Sequence, residues 1–525
     1  MYKRQLWIID LTGGEAKQLT TLLTGASTGI WSPDGKSVGF VSTVYPEFSE
    51  KPFAESDRLN KEKSEKHEKS PVKAKTFTRL FYRHWDEYVE DKRQHLFVVP
   101  SGGGEPRDVT PGDRDANPTS STFSAGDDFT FTPDSQHLVF TAVPDRDESW
   151  STNYDLCRVS ITNSSTKWEA ITKDNLAADG SPRFSPDGKR FAYRSQKKAG
   201  YEADKWDILL ADVKPDGALS GKPENLTSKD DLSVNEFIWS GNGVIFFTAD
   251  RAGAVSLLAL NPSEKTVSSP LNELDSIGSL SPAPGGVGYV RYGMDRPADV
   301  FVYTPVAGAQ TPPANLSRAN EALLAQLDRS RPESVGVPVE GGVKMQMWIL
   351  KPPSFDAKKK YPVVYLVHGG PQSAWEDGWS YRWNPQLWAA QGYVVVMPNP
   401  RGSTGFGQKF VDAISADWGG KCYDDLVKGL DYVEALPYVD KSRIGAAGAS
   451  FGGYMMNWFA GHTDKFKTLI THCGVFNFDS MYASTEELWF DEWEHGGPPW
   501  GHRESYEKFS PHRFAQNFKL SLIHI

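Results

Sequence analysis

Gly448-Ala449-Ser450-Phe451-Gly452-Gly453-Tyr454-Met455 contains a serine with one glycine two positions before it and another two positions after it. The short apolar run 443–447 predicts a buried strand, and residues 451–462 predict a helix. A G-x-S-x-G pattern between a strand and a helix is typical of a tight turn that lifts a nucleophilic serine above a sheet. Glycines flank the serine because larger side chains would clash in that turn. We therefore interpret Ser450 as a nucleophile; the alternative is a glycine-rich turn with an incidental serine.

Two backbone N–H groups are candidates to bind an oxyanion beside this serine. The first belongs to Phe451, because the N–H groups at a helix N-terminus have no partner within the helix. The second belongs to Gly370 in the sequence His368-Gly369-Gly370-Pro371, which directly follows an apolar run. Hydrolases of the α/β type take their second donor from the loop at this place. We expect His368 to support that loop, because its chain order is wrong for the base of a triad.

Strands and helices alternate in the last two hundred residues, which predicts an α/β-hydrolase domain over 331–525. Runs that are apolar on both faces suit central parallel strands covered by helices. The predicted strands are 363–367, 394–397, 444–447 and 468–471, and the predicted helices are 385–391, 422–436 and 451–462. An antiparallel pair around Gly341-Gly342 precedes them.

The first three hundred residues repeat a turn of the Ser-Pro-Asp-Gly type followed by an apolar strand. Proline, aspartate and glycine suit a tight turn, and a period of roughly fifty residues with several short strands indicates β-propeller blades. The copies begin at 31, 131 and 184, with looser copies at 239 and 281. We predict a β-propeller over 1–320 whose front is truncated, because the first element corresponds to the second half of a blade.

One repeat carries a long insertion at about 45–94. Its middle part, 50–75, is rich in Lys, Glu and Ser and predicts a solvated, mobile loop. The alternative is a loop that controls access to a site between the domains.

Length, charge and cysteine content argue against several classes of function. A chain of 525 residues predicts at least two domains, and a net charge of −10 argues against nucleic-acid binding. Cys157, Cys422 and Cys473 are too few and too scattered for a disulfide framework or a zinc site. We find no apolar run that could span a membrane and no signal peptide, but the compartment stays open because we expect the natural N-terminus to be missing.

The combination of these motifs resembles the prolyl oligopeptidase family of serine peptidases. The motifs are HGGP at 368–371, NPRGSTGFG at 399–407, GASFGGYM at 448–455, ELWFDEWE at 487–494 and FSPH at 509–512, behind SPDG turns. The HGGP form is most similar to the branch of acylaminoacyl-peptidases and dipeptidyl-peptidase V. The resemblance implies a β-propeller followed by an α/β-hydrolase domain, hydrolysis of short peptides, and no metal or cofactor.

The chain departs from the family pattern after the nucleophile. The triad order is Ser, then Asp, then His, and the acid and histidine follow the last two strands of the sheet. The candidates within the chain lie in a core strand or before the expected acid; they are His472, Asp479, His495, His502, His512 and His524. We assign none of them, expect both partners beyond Ile525, and therefore expect an incomplete hydrolase sheet and an inactive fragment.

Five further residues are candidates for substrate binding. The aromatic side chains of Trp489, Phe490 and Trp493 could line the pocket for the residue before the cut bond, and the carboxylate of Glu494 could meet a substrate amino group. An ordinary covering helix rich in aromatic residues is the alternative. Arg401 either contacts substrate or supports its loop.

Two other classes of function remain open at this point. A carboxylesterase would use the same serine turn and oxyanion loop. A non-catalytic propeller module would bind a partner without needing Ser450. Peptide length preference and a homo-oligomeric state are also left open.

Overall fold

The structure, a computed structural model, describes residues 4–78, 80–85, 87–89, 91–116, 129–144, 148–162, 167–214, 216–271, 276–305 and 311–521. The chain divides into two compact units. The first comprises Met1–Ser228 with Glu486–Trp489, and the second comprises Lys229–Thr485 with Phe490–Ile525. The boundary that the sequence places between propeller and hydrolase, at 320–331, stays a prediction.

The first unit contains three four-stranded antiparallel sheets in succession, preceded by a small hairpin. The hairpin is β1 (Trp7–Ile8) and β2 (Lys17–Gln18). The first sheet with its insertion comprises β3 (Ser27–Trp31), β4 (Ser37–Val44), α1 (Phe53–Lys69), β5 (Arg83–His84), β6 (Glu87–Tyr88), β7 (Arg93–Pro100) and β8 (Arg107–Asp108). The next two comprise β9 (Phe129–Phe131), β10 (His137–Ala142), β11 (Asp155–Ser160), β12 (Glu169–Ala170), β13 (Asp179–Phe184), β14 (Arg190–Ser195), β15 (Asp207–Val213) and β16 (Leu219–Asn225).

The repeated turns between the first two strands of each sheet share one hydrogen bond. A hydroxyl at the first turn position donates to the aspartate two residues later. The pairs are Ser32 and Asp34 at 2.7 Å, Thr132 and Asp134 at 2.6 Å, and Ser185 and Asp187 at 2.6 Å. This local bond stabilises a tight turn without any distant partner, and it confirms the turns predicted from the SPDG pattern.

The predicted mobile loop within the insertion is wrong over most of its length. Residues 53–69 form the helix α1, of which only Asn60 is buried. Salt bridges four residues apart stabilise this exposed helix, and they include Arg58–Glu62 at 2.6 Å and Lys69–Glu65 at 3.0 Å. The Lys- and Glu-rich composition that suggested disorder also has high helix propensity, and here the propensity prevails.

The second unit begins with two more four-stranded antiparallel sheets. They comprise β17 (Val234–Trp239), β18 (Ile245–Arg251), β19 (Ala254–Asn261), β20 (Thr266–Ser268), β21 (Ser276–Ala283), β22 (Gly286–Gly293), β23 (Arg296–Tyr303) and β24 (Ala314–Asn315). The described part of the chain therefore contains five successive four-stranded sheets, which is the blade pattern of a β-propeller.

A six-stranded mixed sheet with flanking helices completes the second unit. Its elements, with α2 (Glu321–Leu324) before them, are β25 (Glu333–Pro338), β26 (Lys344–Leu350), β27 (Tyr361–Val367), α3 (Pro385–Ala390), β28 (Val394–Asn399), α4 (Gln408–Asp412), α5 (Lys421–Glu434), β29 (Val439–Ala449), α6 (Phe451–His462), β30 (Thr468–His472), α7 (Phe478–Ser484), α8 (Leu488–His495) and α9 (Arg503–Lys508). The strand order is β25-β26-β28-β27-β29-β30. Strands β28, β27, β29 and β30 are parallel, as the sequence predicts for an α/β-hydrolase.

The core of the mixed sheet lies under α5 and α6. Apolar residues of the central strands are fully buried, as are Leu426 of α5 and Tyr454 and Phe459 of α6. Among the described strands β30 pairs only with β29, and its Ile470 is half exposed. Residues 520–521 are not in a strand, and 522–525 lie outside the described residues.

Two absences can be stated for the described part of the chain. No helix there is both long and apolar enough to cross a membrane. Cys157, Cys422 and Cys473 all carry free thiols; the first two are buried and the third is exposed.

Candidate active site

Ser450 occupies a strained turn between β29 and α6. Its backbone angles are φ 54° and ψ −117°, a conformation that residues with a side chain rarely adopt. The Ser450 N–H donates to the His472 carbonyl of β30 at 2.9 Å, and the Ser450 carbonyl accepts from the Tyr454 N–H at 2.9 Å. The neighbouring strand and the helix therefore hold the turn from both sides, and the serine itself is exposed.

The glycines around Ser450 are required by close packing. A Cβ atom at Gly448 would lie 2.4 Å from the carbonyl oxygen of Gly452, and one at Gly452 would lie 2.2 Å from the carbonyl oxygen of Val367. A Cβ at Gly453 would lie 2.7 Å from the His472 carbonyl oxygen. Each contact is to backbone, which cannot move aside, so the turn excludes any larger residue at these positions.

The loop after β27 passes directly beside the serine. A Cβ at Gly369 would lie 3.4 Å from Ser450 Cβ and 4.0 Å from Ser450 Oγ. Gly370 follows with φ +123°, and Phe451 is the first residue of α6. Among the described residues no acceptor takes the N–H of Gly370 or of Phe451. These two N–H groups are the candidate oxyanion donors of the sequence analysis, and their role stays a prediction.

His368 connects this loop to the one that follows β28. Its ring is buried, with Nε2 2.9 Å from Ser403 Oγ and Nδ1 2.7 Å from the Gly369 carbonyl oxygen. Burial lowers the pKa of His368 to about 4, so the ring is neutral at physiological pH. The Ser403 hydroxyl also lies 2.6 Å from the Pro400 carbonyl oxygen. The imidazole therefore fastens the two loops together.

Arg401 is held by a carboxylate beneath its loop. Its Nε and Nη2 donate to the two oxygens of Asp425 at 2.9 and 2.6 Å, and its own N–H donates to Asp425 Oδ2 at 3.0 Å. Both side chains are buried. The geometry favours loop support for Arg401, and a substrate contact stays an untested prediction.

The four residues predicted on the aromatic helix α8 differ in their surroundings. Trp489 is buried in the first unit, where its N–H donates to the Ser149 carbonyl at 2.9 Å. Phe490 and Trp493 are half-buried in the second unit, and the Trp493 indole N–H donates to Ser415 Oγ at 3.2 Å. The structure brings Phe490, Trp493 and Glu494 together within one unit.

Glu494 is almost completely buried, at 1% exposure. Its Oε1 accepts from Gln372 Nε2 at 2.8 Å and from Ser415 Oγ at 3.2 Å, and its Oε2 accepts from Trp418 Nε1 at 2.7 Å. Burial raises the pKa of Glu494, and these three donors act in the opposite direction. The carboxylate is thus occupied by protein donors, and a substrate amine as its partner stays untested.

The histidines rejected as triad members have other surroundings. His472 lies on β30 with its ring 5.3 Å from that of Trp383, and His512 Nδ1 lies 2.9 Å from Ser510 Oγ. His495 is buried, and burial lowers its pKa to about 4. Among the described residues no side chain forms a hydrogen bond with Ser450 Oγ. His524 lies outside the described residues.

Sequence reasoning missed the residues that support the site. Gln372 and Trp418 are tied to Glu494, and Asp425 and Ser403 are tied to Arg401 and His368. Gln372 directly follows the HGGP motif, which was the one local signal available. In the described part of the chain no group of three or more His, Cys, Asp or Glu side chains could hold a metal ion.

Comparisons with known proteins point to one family. The model of the prolyl oligopeptidase family matches residues 379–524. Dipeptidyl-peptidase 5 of Porphyromonas gingivalis is 31% identical, over 99% of this chain and 81% of the relative. The protein of the same name from Porphyromonas endodontalis is 32% identical, over 99% of this chain and 73% of the relative.

A solved structure has a similar fold. The acylaminoacyl peptidase of Pyrococcus horikoshii superposes with a TM-score of 0.77 at 21% identity, covering 98% of this chain and 73% of that one. At this level of identity the likeness concerns the fold alone.

Proposed function

The chain belongs to the prolyl oligopeptidase family of serine peptidases, and on that premise we propose that Ser450 hydrolyses short peptides through an acyl-enzyme. The observation that carries this proposal is the strained, exposed Ser450 between β29 and α6, beside two unpaired backbone N–H groups. A hydroxyl with these neighbours is suited to attack a carbonyl carbon.

The reaction follows the general scheme of acyl transfer. Ser450 Oγ attacks the carbonyl carbon of the peptide bond while a histidine base accepts its proton, and the tetrahedral intermediate carries its charge on the former carbonyl oxygen. The C–N bond then breaks, the amine leaves with the proton from the base, and water releases the acyl group in a second cycle. No described residue is assigned as that base.

The N–H groups of Phe451 and Gly370 would bind the charged oxygen. Removing one such donor typically raises the barrier by about 3–4 kcal/mol, so each is a substantial part of the catalysis. Proline alone would delete the Gly370 N–H, but its fixed φ conflicts with the φ of +123° at this position, so the donor is better tested through the residues that hold its loop.

The substrate class is proposed from the relatives. Those named above are a dipeptidyl-peptidase and, in structure, an acylaminoacyl peptidase, so we propose that this enzyme removes either a dipeptide or an acylated residue from short peptides. The half-buried aromatic rings of Phe490 and Trp493 would line the pocket for the residue before the cut bond. Arg401 would support the loop that follows β28. A role for Trp489 in substrate binding and a homo-oligomeric state stay predictions.

The test uses the full-length enzyme and three kinds of substrate. These are a dipeptide anilide with a free amine, an acetylated amino-acid anilide, and a short-chain ester. Ser450→Ala should lower kcat/KM for the preferred anilide by about a millionfold and abolish labelling by a fluorophosphonate. Ser268→Ala, which changes a serine on β20 of a blade sheet, should leave both unchanged.

Two results would contradict the proposal. Undiminished anilide cleavage by Ser450→Ala would remove the nucleophile assignment. Cleavage of the ester with no cleavage of either anilide would identify a carboxylesterase instead.

A further inference from the structure

We propose that Glu494 is a positioning residue for the oxyanion site: its buried carboxylate holds Gln372, and through Gln372 it fixes the N–H of Gly370. The inference rests on the proposed function and goes beyond it, because it assigns Glu494 to the protein's own catalytic loop. The sequence alone had suggested a substrate amine as its partner.

Gln372 and Gly370 are closely coupled in space. A Cβ at Gly370 would lie 2.6 Å from the Gln372 nitrogen and 3.1 Å from its carbonyl carbon, so the chain folds back tightly over these residues. Gly370 adopts φ +123°, a conformation that depends on the local chain path. A movement of Gln372 therefore displaces the Gly370 N–H. The hydrogen bond from Gln372 Nε2 to Glu494 Oε1, at 2.8 Å, restricts that movement.

The other oxygen of the Glu494 carboxylate leads, through Trp418, to Phe451, which carries the other proposed oxyanion donor. Glu494 Oε2 accepts from the Trp418 indole at 2.7 Å, and the Trp418 ring packs edge-on against Phe451 with 5.1 Å between ring centroids. Trp418 and Phe451 are both buried. One carboxylate thus connects the loop of Gly370 with the side chain of the residue that carries the other N–H.

The occupancy of the carboxylate argues against a substrate amine at this point. Glu494 is 1% exposed and accepts from Gln372, Ser415 and Trp418. Three of the about four acceptor positions of the carboxylate are taken by protein donors, and an incoming ammonium would have to leave water for a site closed to solvent. These contacts indicate that the Glu494 carboxylate holds donors of the protein itself in place.

The test compares Gln372→Met, Glu494→Gln and the double variant in the full-length enzyme. Each single variant should lower kcat for the preferred anilide by about 10- to 100-fold, because a misplaced oxyanion donor loses part of its effect, while KM changes by less than about twofold. The double variant should be no slower than the slower single variant. Inhibition by a peptide boronic acid, which mimics the oxyanion, should weaken in parallel with kcat, and binding of the peptide product should not change.

A matched variant separates positioning from general destabilisation. Gln196 of the first unit is buried, whereas Gln372 is half-buried, and the Gln196 Nε2 donates to the carbonyls of Glu202 and Asp204 at 2.8 and 2.7 Å. Gln196→Met loses two hydrogen bonds where Gln372→Met loses one, and it should lower thermal stability at least as much with kcat unchanged. If Glu494→Gln fails to fold, Gln372→Met still tests the proposal, because it leaves the bonds of Glu494 to Ser415 and Trp418 in place.

Several outcomes would overturn this inference alone. An unchanged kcat in Gln372→Met, additive effects in the double variant, or a rise in KM confined to substrates with a free amine would each do so. Ser450→Ala distinguishes this failure from that of the proposed function. If it still abolishes cleavage, the peptidase assignment stands without the role of Glu494.

Discussion

The turns of the blade sheets and the turn at Ser450 use glycine for opposite reasons. In the first blade turn Gly35 adopts φ +70°, and a Cβ there would meet no atom within 4 Å. At the serine turn Gly452 has an ordinary helical φ, but a Cβ would lie 2.2 Å from the Val367 carbonyl oxygen. Glycine is thus needed for its backbone freedom in the blade and for its missing side chain at the serine turn.

The two kinds of turn also differ in where their partners lie. The blade turn closes on itself through Ser32 and Asp34, two residues apart. The serine turn depends on His472 of β30 and on the close approach of Val367 of β27, both distant in sequence. A local turn can be altered at small cost, whereas a turn built from distant strands transmits any change to the whole sheet.

We expect the largest effect on stability and activity from Gly452→Ala. A Cβ at 2.2 Å from a backbone oxygen cannot be accommodated without moving α6 away from β27. We expect a loss of more than about 4 kcal/mol in the free energy of unfolding, or failure to fold, together with loss of activity. Denaturant unfolding of the variant and fluorophosphonate labelling measure the two effects. A folded variant with normal labelling would show that the turn at Ser450 is less closely packed than these distances imply.

A change of intermediate size concerns a carboxyl pair in the second unit. Glu376, six residues after Gly370, forms a hydrogen bond with Asp250 of blade strand β18, and burial together with that neighbour raises the pKa of Glu376 to about 8. Asp250 also accepts from Asn235 Nδ2 at 2.7 Å. The folded state therefore keeps a proton on Glu376 that the unfolded state loses above its usual value of 4.5.

The Glu376–Asp250 pair predicts how the free energy of unfolding depends on pH. Because the folded state binds the extra proton, its stability falls by a few kcal/mol as pH rises from about 4.5 through 8. Glu376→Gln keeps a neutral donor toward Asp250 and should remove most of this slope. Denaturant unfolding at about pH 5 and about pH 9 checks it. An equal slope in both proteins would show that Glu376 is ionised in the folded state.

The smallest expected effect is that of Gly35→Ala in the blade turn. With open space around it, the only cost is the positive φ, so we expect a loss of about 1–2 kcal/mol and no change in kcat. Gly102→Ala is the matched control, since Gly102 also has open space but no positive φ, and it should be neutral within about 0.5 kcal/mol. Thermal unfolding compares the two. An effect of Gly35→Ala as large as that of Gly452→Ala would abolish the distinction.

The sequence predicted those features that depend on neighbours along the chain. The predicted parallel strands lie within the observed bounds of β27, β28, β29 and β30, and the helix after Ser450 is found at Phe451–His462. The SPDG turns are confirmed because their hydrogen bonds are local. Helix α1 was missed because a Lys- and Glu-rich composition is shared by disordered loops and exposed helices.

The supporting network of the candidate site could not be predicted in the same way. Gln372 and Glu494 are 122 residues apart in sequence and meet only because the loop after β27 and α8 fold together. No pattern in one sequence reports that meeting, and the aromatic composition around Glu494 suggested a ligand pocket more readily than a buried carboxylate. The choice between these roles for Glu494 requires the measurements described above.

The path of the chain between the two compact units has a practical consequence for proteolysis. It passes from the first unit to the second after Ser228, returns for Glu486–Trp489, and leaves again within helix α8. In the first unit these four residues are bound by side chain and backbone, for example Glu486 to Arg83 at 2.9 Å. A protease that nicks the polypeptide at one crossing therefore leaves the two units covalently joined at the others, and a gene fragment ending at Ser228 encodes a first unit that lacks four of its residues.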